Sequence, residues 1–201
     1  MACEGNDERI GEALIKEVIE EELKEVPSEE VPAFTPLTKE VKTEQEKKIV
    51  VQLGAMIRII GDRVKDDREF QDAIDGMASG PGCMSTKFGQ LVNKVFDHGQ
   101  ITWERIAVLF YVAGRMAVRL VEANLPQSVP EILRWILNYF RTTLLGWIRD
   151  HGGWINSFSA LACAPMNRVS TMNSHTSGFI IIFIAGVALG SIITWKLAKA
   201  T

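Results

Sequence analysis

Signatures of catalysis and of metal binding are scarce in this sequence. Its 201 residues include only three cysteines and three histidines, and none stands at the spacing of a metal site. No glycine-rich phosphate loop follows a strand-like segment, and the cysteines have no obvious base beside them. We therefore predict no enzyme, no metal and no cofactor, and the isolated cysteines indicate a reducing compartment.

Strand-like alternation and targeting signals are missing as well. The N-terminal stretch "MACEGNDERIGEAL" is acidic and has no basic region followed by an apolar run, which argues against a secretory or mitochondrial leader. Residues 1–50 carry 14 acidic and 7 basic side chains, whereas residues 51–201 carry 11 and 15. These basic residues are too dispersed for a nucleic-acid interface. We expect an all-α protein that is made in the cytosol and has no nucleic-acid partner.

Helical periodicity is what the sequence does contain. Apolar residues recur every three or four positions over residues 8–24, 43–66 and 86–97. Two longer segments, 101–123 and 130–150, are apolar on several sides, which is typical of the centre of a bundle. Arg115 and Arg119 interrupt the first of them and are expected either to face solvent at the bundle edge or to reach it by snorkelling. We predict a helical bundle over residues 1–163 around a central hydrophobic hairpin, with a flexible proline-containing linker at 27–42.

The C-terminal segment has a different character. After a polar hinge at residues 164–177, "GFIIIFIAGVALGSIITW" contains 18 residues without a charge. As a helix it would span about 27 Å, close to the thickness of a bilayer's hydrocarbon core. We predict a transmembrane tail anchor at residues 178–197, and the alternative is a helix buried in a groove of the bundle. The residues assigned to the anchor are Gly178, Phe179, Ile184, Gly186, Gly190 and Trp195.

One amphipathic helix contains an unusual pair of residues. In "LGAMIRIIGDRV" the apolar stripe consists of Leu53, Ile57, Ile60 and Val64. Gly61 lies beside this stripe, and a glycine inside a helix costs about 1 kcal/mol relative to alanine, which indicates that another group approaches closely. Asp62 lies about 160° from the centre of the stripe. It is interpreted either as a solvated side chain or as an ion-pair partner of Arg105, in the same chain or in a second copy.

Three sequence motifs resemble those of a known family. "LGAMIRIIGDRV" resembles the third homology motif of the Bcl-2 family, "FDHGQITWERIAVLFYVAGR" the first, and "LLGWIRDHGGWINSF" the second. Their order, followed by a tail anchor, is also that of the family, and the resemblance covers about residues 8–197. It implies a Bcl-2-like bundle and is strongest to the pro-apoptotic effectors of the family.

The resemblance implies a function as well. An effector is a cytoplasmic protein that moves to the mitochondrial outer membrane, oligomerises there and permeabilises it, releasing cytochrome c. The implied partners are other Bcl-2 family proteins and their death-motif helices, further copies of the chain in dimers and larger oligomers, and mitochondrial outer-membrane lipid. The alternative is a pro-survival member that sequesters death-motif helices in its groove. The implied death motif comprises Leu53, Ile57, Ile60, Gly61, Asp62 and Val64, and the implied groove residues are Trp103 and Arg105.

The first motif departs from the family pattern at one position. The family's Asn-Trp-Gly-Arg stands here as Thr102, Trp103, Glu104 and Arg105. Thr102 still supplies an oxygen that can cap a helix. Glu104, however, replaces a glycine that lets a partner helix lie close, and it adds bulk and negative charge. This change is expected to impair the capture of death-motif helices and favours an effector.

Overall fold

The fold is all-helical in the part of the chain that the computed structural model describes, which comprises residues 4–26, 38, 40–79, 84–96 and 99–157. The α-helices are α1 (Glu4–Leu23), α2 (Glu44–Val64), α3 (Arg68–Ser79), α4 (Met84–Val95), α5 (Trp103–Glu122), α6 (Val129–Tyr139) and α7 (Leu145–Asp150). A 3-10 turn at Pro126–Ser128 precedes α6, a π-helical turn at Phe140–Leu144 joins α6 to α7, and residues 153–157 are helical. No strand occurs in these residues, and the all-α prediction is confirmed.

The structure does not describe the predicted C-terminal hinge and membrane anchor. The hinge at residues 164–177 and the anchor at 178–197, with all six residues assigned to it, lie outside the described residues. Among the described residues, none of the helices has both the length and the apolar content needed to cross a membrane. The tail anchor therefore stays a prediction.

Helix α5 occupies the centre of the bundle. It buries 14 of its 20 residues and contacts α1, α2, α3, α4 and α6. Helix α6 follows through a short turn and packs its own apolar face on α5. Because α5 is apolar on most of its circumference, its neighbours must all present apolar faces to it.

Arg115 is the charged exception in the middle of α5. Its Nη1 lies 3.3 Å from Glu22 Oε2 of α1 and 3.3 Å from Oε2 of Glu25, which follows α1. Arg58 of α2 approaches the same two carboxylates at 3.6 and 3.2 Å. Burial raises the pKa of the Glu22 carboxyl, and the hydrogen bond from Arg115 acts against that rise. The cluster joins α1, the turn that follows it, α2 and α5, so Arg115 is held by two carboxylates instead of facing open solvent.

Arg119, one turn further along α5, lies closer to the surface. Its Nε is 2.8 Å from Asp75 Oδ1 of α3, and its Nη1 donates to Glu122 Oε2 at 2.9 Å. The expectation of an edge position is met for Arg119, whose charge also ties α3 to α5.

A second polar contact joins α1 to the start of α2. Thr43 caps α2, its side chain accepting from the Glu46 amide while the Glu46 carboxylate accepts from the Thr43 amide. The same carboxylate accepts from Arg9 of α1 at 2.8 Å. Burial raises the pKa of the Glu46 carboxyl, but the hydrogen bonds from Arg9 and from the Lys42 and Thr43 amides outweigh burial and leave the pKa below its ordinary value of 4.5.

Replacing this carboxylate tests the contact between α1 and α2. At neutral pH, Glu46→Gln should lower the free energy of unfolding by about 2 kcal/mol, because hydrogen bonds to a charged group are lost. A carboxyl with a depressed pKa stabilises the fold only where it is ionised, so the difference from wild type should shrink as the pH falls below 4.5. Urea titrations followed by circular dichroism between pH 7 and pH 3 measure both effects.

Glu44→Gln is the matched control, since Glu44 is an exposed carboxylate in the same turn, paired only with Lys47. Exposed pairs contribute little, and this variant should stay close to wild type at neutral pH. A Glu46→Gln difference that stays constant from pH 7 to pH 3 would contradict a role for the charge.

Candidate partner-binding site

The apolar stripe of α2 faces the interior of the bundle. The side chains of Leu53, Ile57, Ile60 and Val64 are all buried, and α2 packs against α1 and α5. The 21-residue helix begins at the Thr43 cap described above, and the Lys65 amide closes it by donating to the Gly61 carbonyl. The structure thus stores the residues assigned to the death motif in its core, apart from Asp62.

Gly61 lies directly against an aromatic ring. A β-carbon at this position would overlap the ring of Tyr111, which projects from α5. Tyr111 is itself buried, and burial, followed by the nearby Glu22 carboxylate, raises its pKa to about 12. The close approach that a helix-interior glycine predicted is therefore this ring. Sequence analysis did not single out Tyr111, because an aromatic residue in a largely apolar helix is typical of a core position and nothing local marks it as a partner of α2.

Asp62 lies at the surface. Its side chain is 64% exposed, and its carboxylate is 3.8 Å from Lys65 Nζ, one turn further on. The predicted ion pair with Arg105 of the same chain is wrong. Arg105 instead donates through Nη1 to the Gln100 carbonyl at 3.2 Å, and its amide donates to the Thr102 side chain that caps α5. The pair between two copies stays a prediction.

Trp103, the other predicted groove residue, belongs to an aromatic cluster at the start of α5. Its ring meets Trp147 edge to face at a centroid distance of 5.1 Å and Trp154 at 5.7 Å. Trp147 in turn stacks on His151 at 3.9 Å. Trp147 lies on α7, and Trp154 lies in the helical segment 153–157. Between them, Gly152 and Gly153, with φ of 87° and 71°, reverse the direction of the chain. We call Trp103, Trp147 and Trp154 the tryptophan cluster.

The site thus has two parts, a stored amphipathic helix and an aromatic cluster at one end of the central helix. The described residues contain no group of histidine, cysteine, aspartate and glutamate side chains fit to hold a metal. Apolar anchors spaced by three and four residues are the means by which one helix docks into the groove of another. Fold and site together define an α-helical bundle that keeps an amphipathic helix with such anchors in its core.

Comparison with known proteins gives the family. The family model described as "Apoptosis regulator proteins, Bcl-2 family" matches residues 57–154. Apoptosis regulator BAX from Bos taurus and from Homo sapiens are each 28% identical over 145 residues, covering 72% of this chain and 69% of the relative. Bcl-2-related ovarian killer protein homolog A from Danio rerio is 35% identical over 57 residues, covering 28% of this chain and 26% of the relative. The chain is therefore similar to the Bcl-2 family over these residues.

Solved structures share the fold. Chicken BOK superimposes with a TM-score of 0.58 at 18% identity, covering 78% of this chain and 97% of that one. Trichoplax adhaerens trBcl-2L2 bound to trBak BH3 gives a TM-score of 0.56 at 21% identity, covering 75% and 95%. The predicted Bcl-2-like bundle is confirmed.

The contact between Gly61 and Tyr111 can be tested by adding one methyl group. Gly61→Ala should lower the free energy of unfolding by about 1–3 kcal/mol, because the new β-carbon overlaps the ring. Adding Tyr111→Leu should remove most of this penalty, and a double-mutant cycle from urea titrations measures the coupling.

Gly89→Ala on α4 is the matched control, because a β-carbon there meets no described atom within 4 Å. Helix propensity alone should leave this variant unchanged or more stable by up to about 1 kcal/mol. Equal effects of the two alanines would contradict the proposed contact.

Proposed function

We propose that this chain is a pro-apoptotic effector that oligomerises in the mitochondrial outer membrane and permeabilises it, releasing cytochrome c. The observation that carries the proposal is the storage of the death-motif face of α2 in the core. The relatives named BAX, which match over 72% of the chain, support the same function.

Because the apolar face of α2 is buried, activation requires that α2 leave the bundle. The four apolar residues of α2 can enter a groove only after α2 has left α1 and α5. Its departure uncovers the apolar surface of α5, which then has to be covered by another helix or by lipid. Oligomerisation and membrane insertion are thus both responses to one exposed surface.

The proposed contact between copies joins Asp62 to Arg105. Asp62 projects from the surface, where its carboxylate lies 3.8 Å from Lys65 Nζ, and Arg105 lies at the beginning of α5 beside Trp103. In the proposed dimer, α2 of one copy occupies the groove of the other, and Asp62 pairs with Arg105 across the interface. Such a pair fixes the register of the helix more than it adds affinity.

The proposed location follows from the tail. Residues 178–197 have the length and composition of a membrane anchor, and residues 57–154 match a family of apoptosis regulators. We propose that the protein rests in the cytoplasm and is anchored by this tail in the mitochondrial outer membrane when activated.

A pro-survival role is the second candidate. The likeness in fold to trBcl-2L2, which was solved with a trBak BH3 bound, favours a groove that receives helices. Glu104 opposes this role, because it places a carboxylate next to Trp103 and Arg105 where a partner's aspartate would approach. The experiment below distinguishes the two roles, because binding of a death-motif helix and permeabilisation of a membrane are measured separately.

Vesicle leakage tests the proposed function. Purified full-length protein is mixed with cardiolipin-containing vesicles that hold fluorescent dextran, together with a peptide of residues 44–64. We expect dextran release. Asp62→Ala should weaken the dimer by about 2 kcal/mol, or about 30-fold, because it removes one partner of an interfacial charge pair, and leakage should fall accordingly.

Asp66→Ala is the control, since Asp66 is an exposed aspartate just beyond α2. It should leak like wild type, and circular dichroism should show unchanged helix content in both variants. Tight peptide binding without dextran release at micromolar protein would identify a pro-survival protein instead.

A further inference from the structure

The buried face changes direction between α6 and α7. Before the π-helical turn the buried residues are Val129, Ile132, Leu133, Ile136 and Leu137, and from the last residue of the turn onward they are Leu144, Leu145 and Ile148. At 100° per residue the centres of these two sets differ by about 100°, which corresponds to one residue. A π-helical turn adds one residue without breaking the helix. The turn at Phe140–Leu144 therefore lets both segments face the core.

Helix α1 holds this turn at two adjacent positions. Gly11 lies against the ring of Phe140, which a β-carbon on Gly11 would overlap. The next residue, Glu12, has a side chain that is 0% exposed, and its Oε1 accepts from Arg141 Nε at 2.8 Å and lies 2.7 Å from Arg141 Nη2. Since breaking a buried ion pair is costly, these two contacts couple the position of the π turn to that of α1.

The same helix holds the end of the tryptophan cluster. The Trp154 indole Nε1 donates to the Asp7 carbonyl at 2.8 Å, and the Trp154 amide donates to Asp7 Oδ1 at 3.2 Å. Trp147 follows the π turn on α7 and rests on Trp103. Both tryptophans that contact Trp103 are thus placed by contacts that begin on α1.

We propose that Gly11 and Glu12 are positioning residues for the partner-binding site: by holding Phe140 and Arg141 in the π turn, they set the arrangement of the tryptophan cluster and hence the affinity for a death-motif helix. Neither residue belongs to the stored face of α2 or to the cluster. The inference rests on the proposed function in taking Trp103 as a groove residue.

Arg141→Gln tests this role with two separate measurements. The first is the set of indole N–H signals in two-dimensional NMR spectra of the full-length protein. Signals of Trp147 and Trp154 should shift, whereas Trp135, which packs on Phe88 instead, should stay in place. The second is the affinity for the peptide of residues 44–64, which should fall by about three- to tenfold.

Two further variants keep the test decisive. Glu12→Gln preserves the shape of the side chain and should produce smaller shifts in the same signals, even where Arg141→Gln fails to fold. Arg134→Gln removes an exposed arginine of α6 and should change neither measurement. Indole signals that stay at their wild-type positions in both Arg141→Gln and Glu12→Gln, or shifted signals with wild-type affinity, would overturn the proposal.

The two proposals fail in different ways. A wild-type protein that does not bind the peptide overturns the proposed groove and, with it, any effect of α1 on affinity. The indole signals still show in that case whether α1 positions the tryptophan cluster.

Discussion

Burial of α5 is the constraint on which the other helices depend. A helix with 14 of 20 residues inside must be enclosed, and α2 supplies part of the enclosure with the stripe that is assigned to the proposed death motif. Burying an aliphatic side chain contributes about 1.5–3 kcal/mol, so exposing the four stripe residues costs about 6–12 kcal/mol. Whole domains are stable by about 5–15 kcal/mol. Release of α2 therefore requires a compensating surface, either a second groove or a membrane.

Helix α1 is the element that keeps this arrangement in place. Its carboxylates reach Arg58 and Arg115 on α2 and α5, its Arg9 reaches Glu46, and its Glu12 reaches Arg141 beside α7. Breaking a buried pair costs about 3–5 kcal/mol because one charge is left uncompensated. Helix α1 thus contacts both α2, which carries the proposed death motif, and the residues that support the tryptophan cluster, so disturbing α1 affects the two parts of the candidate site together.

Features set by neighbours in sequence were predictable, and features set by distant packing were not. The stripe of α2, the Thr102 cap and the left-handed glycines after α7 depend on local periodicity or backbone angles. The helical wheel placed Asp62 away from the stripe, and the structure agrees. The family resemblance favoured an ion pair between Asp62 and Arg105, in the same chain or in a second copy, and in this conformation Asp62 lies beside Lys65 instead of Arg105 of the same chain. Tyr111 opposite Gly61 depends on how α5 is rotated against α2, and no local pattern specifies that rotation.

The π turn at Phe140–Leu144 was only partly predictable from the local sequence. The pattern Ile136, Leu137, Phe140 recurs as Leu144, Leu145, Ile148 after eight residues, whereas two α-helical turns take about seven. The spacing of eight residues in the sequence indicates the extra residue. Because the segment has apolar residues on several sides, however, other spacings fit it equally well. A continuous α-helix would bring Trp147 to the middle of the buried face of α6. The π turn rotates it about 100° away, to where it meets Trp103. The aromatic end of the site therefore exists because the helix accommodates one residue more than its α-helical period allows.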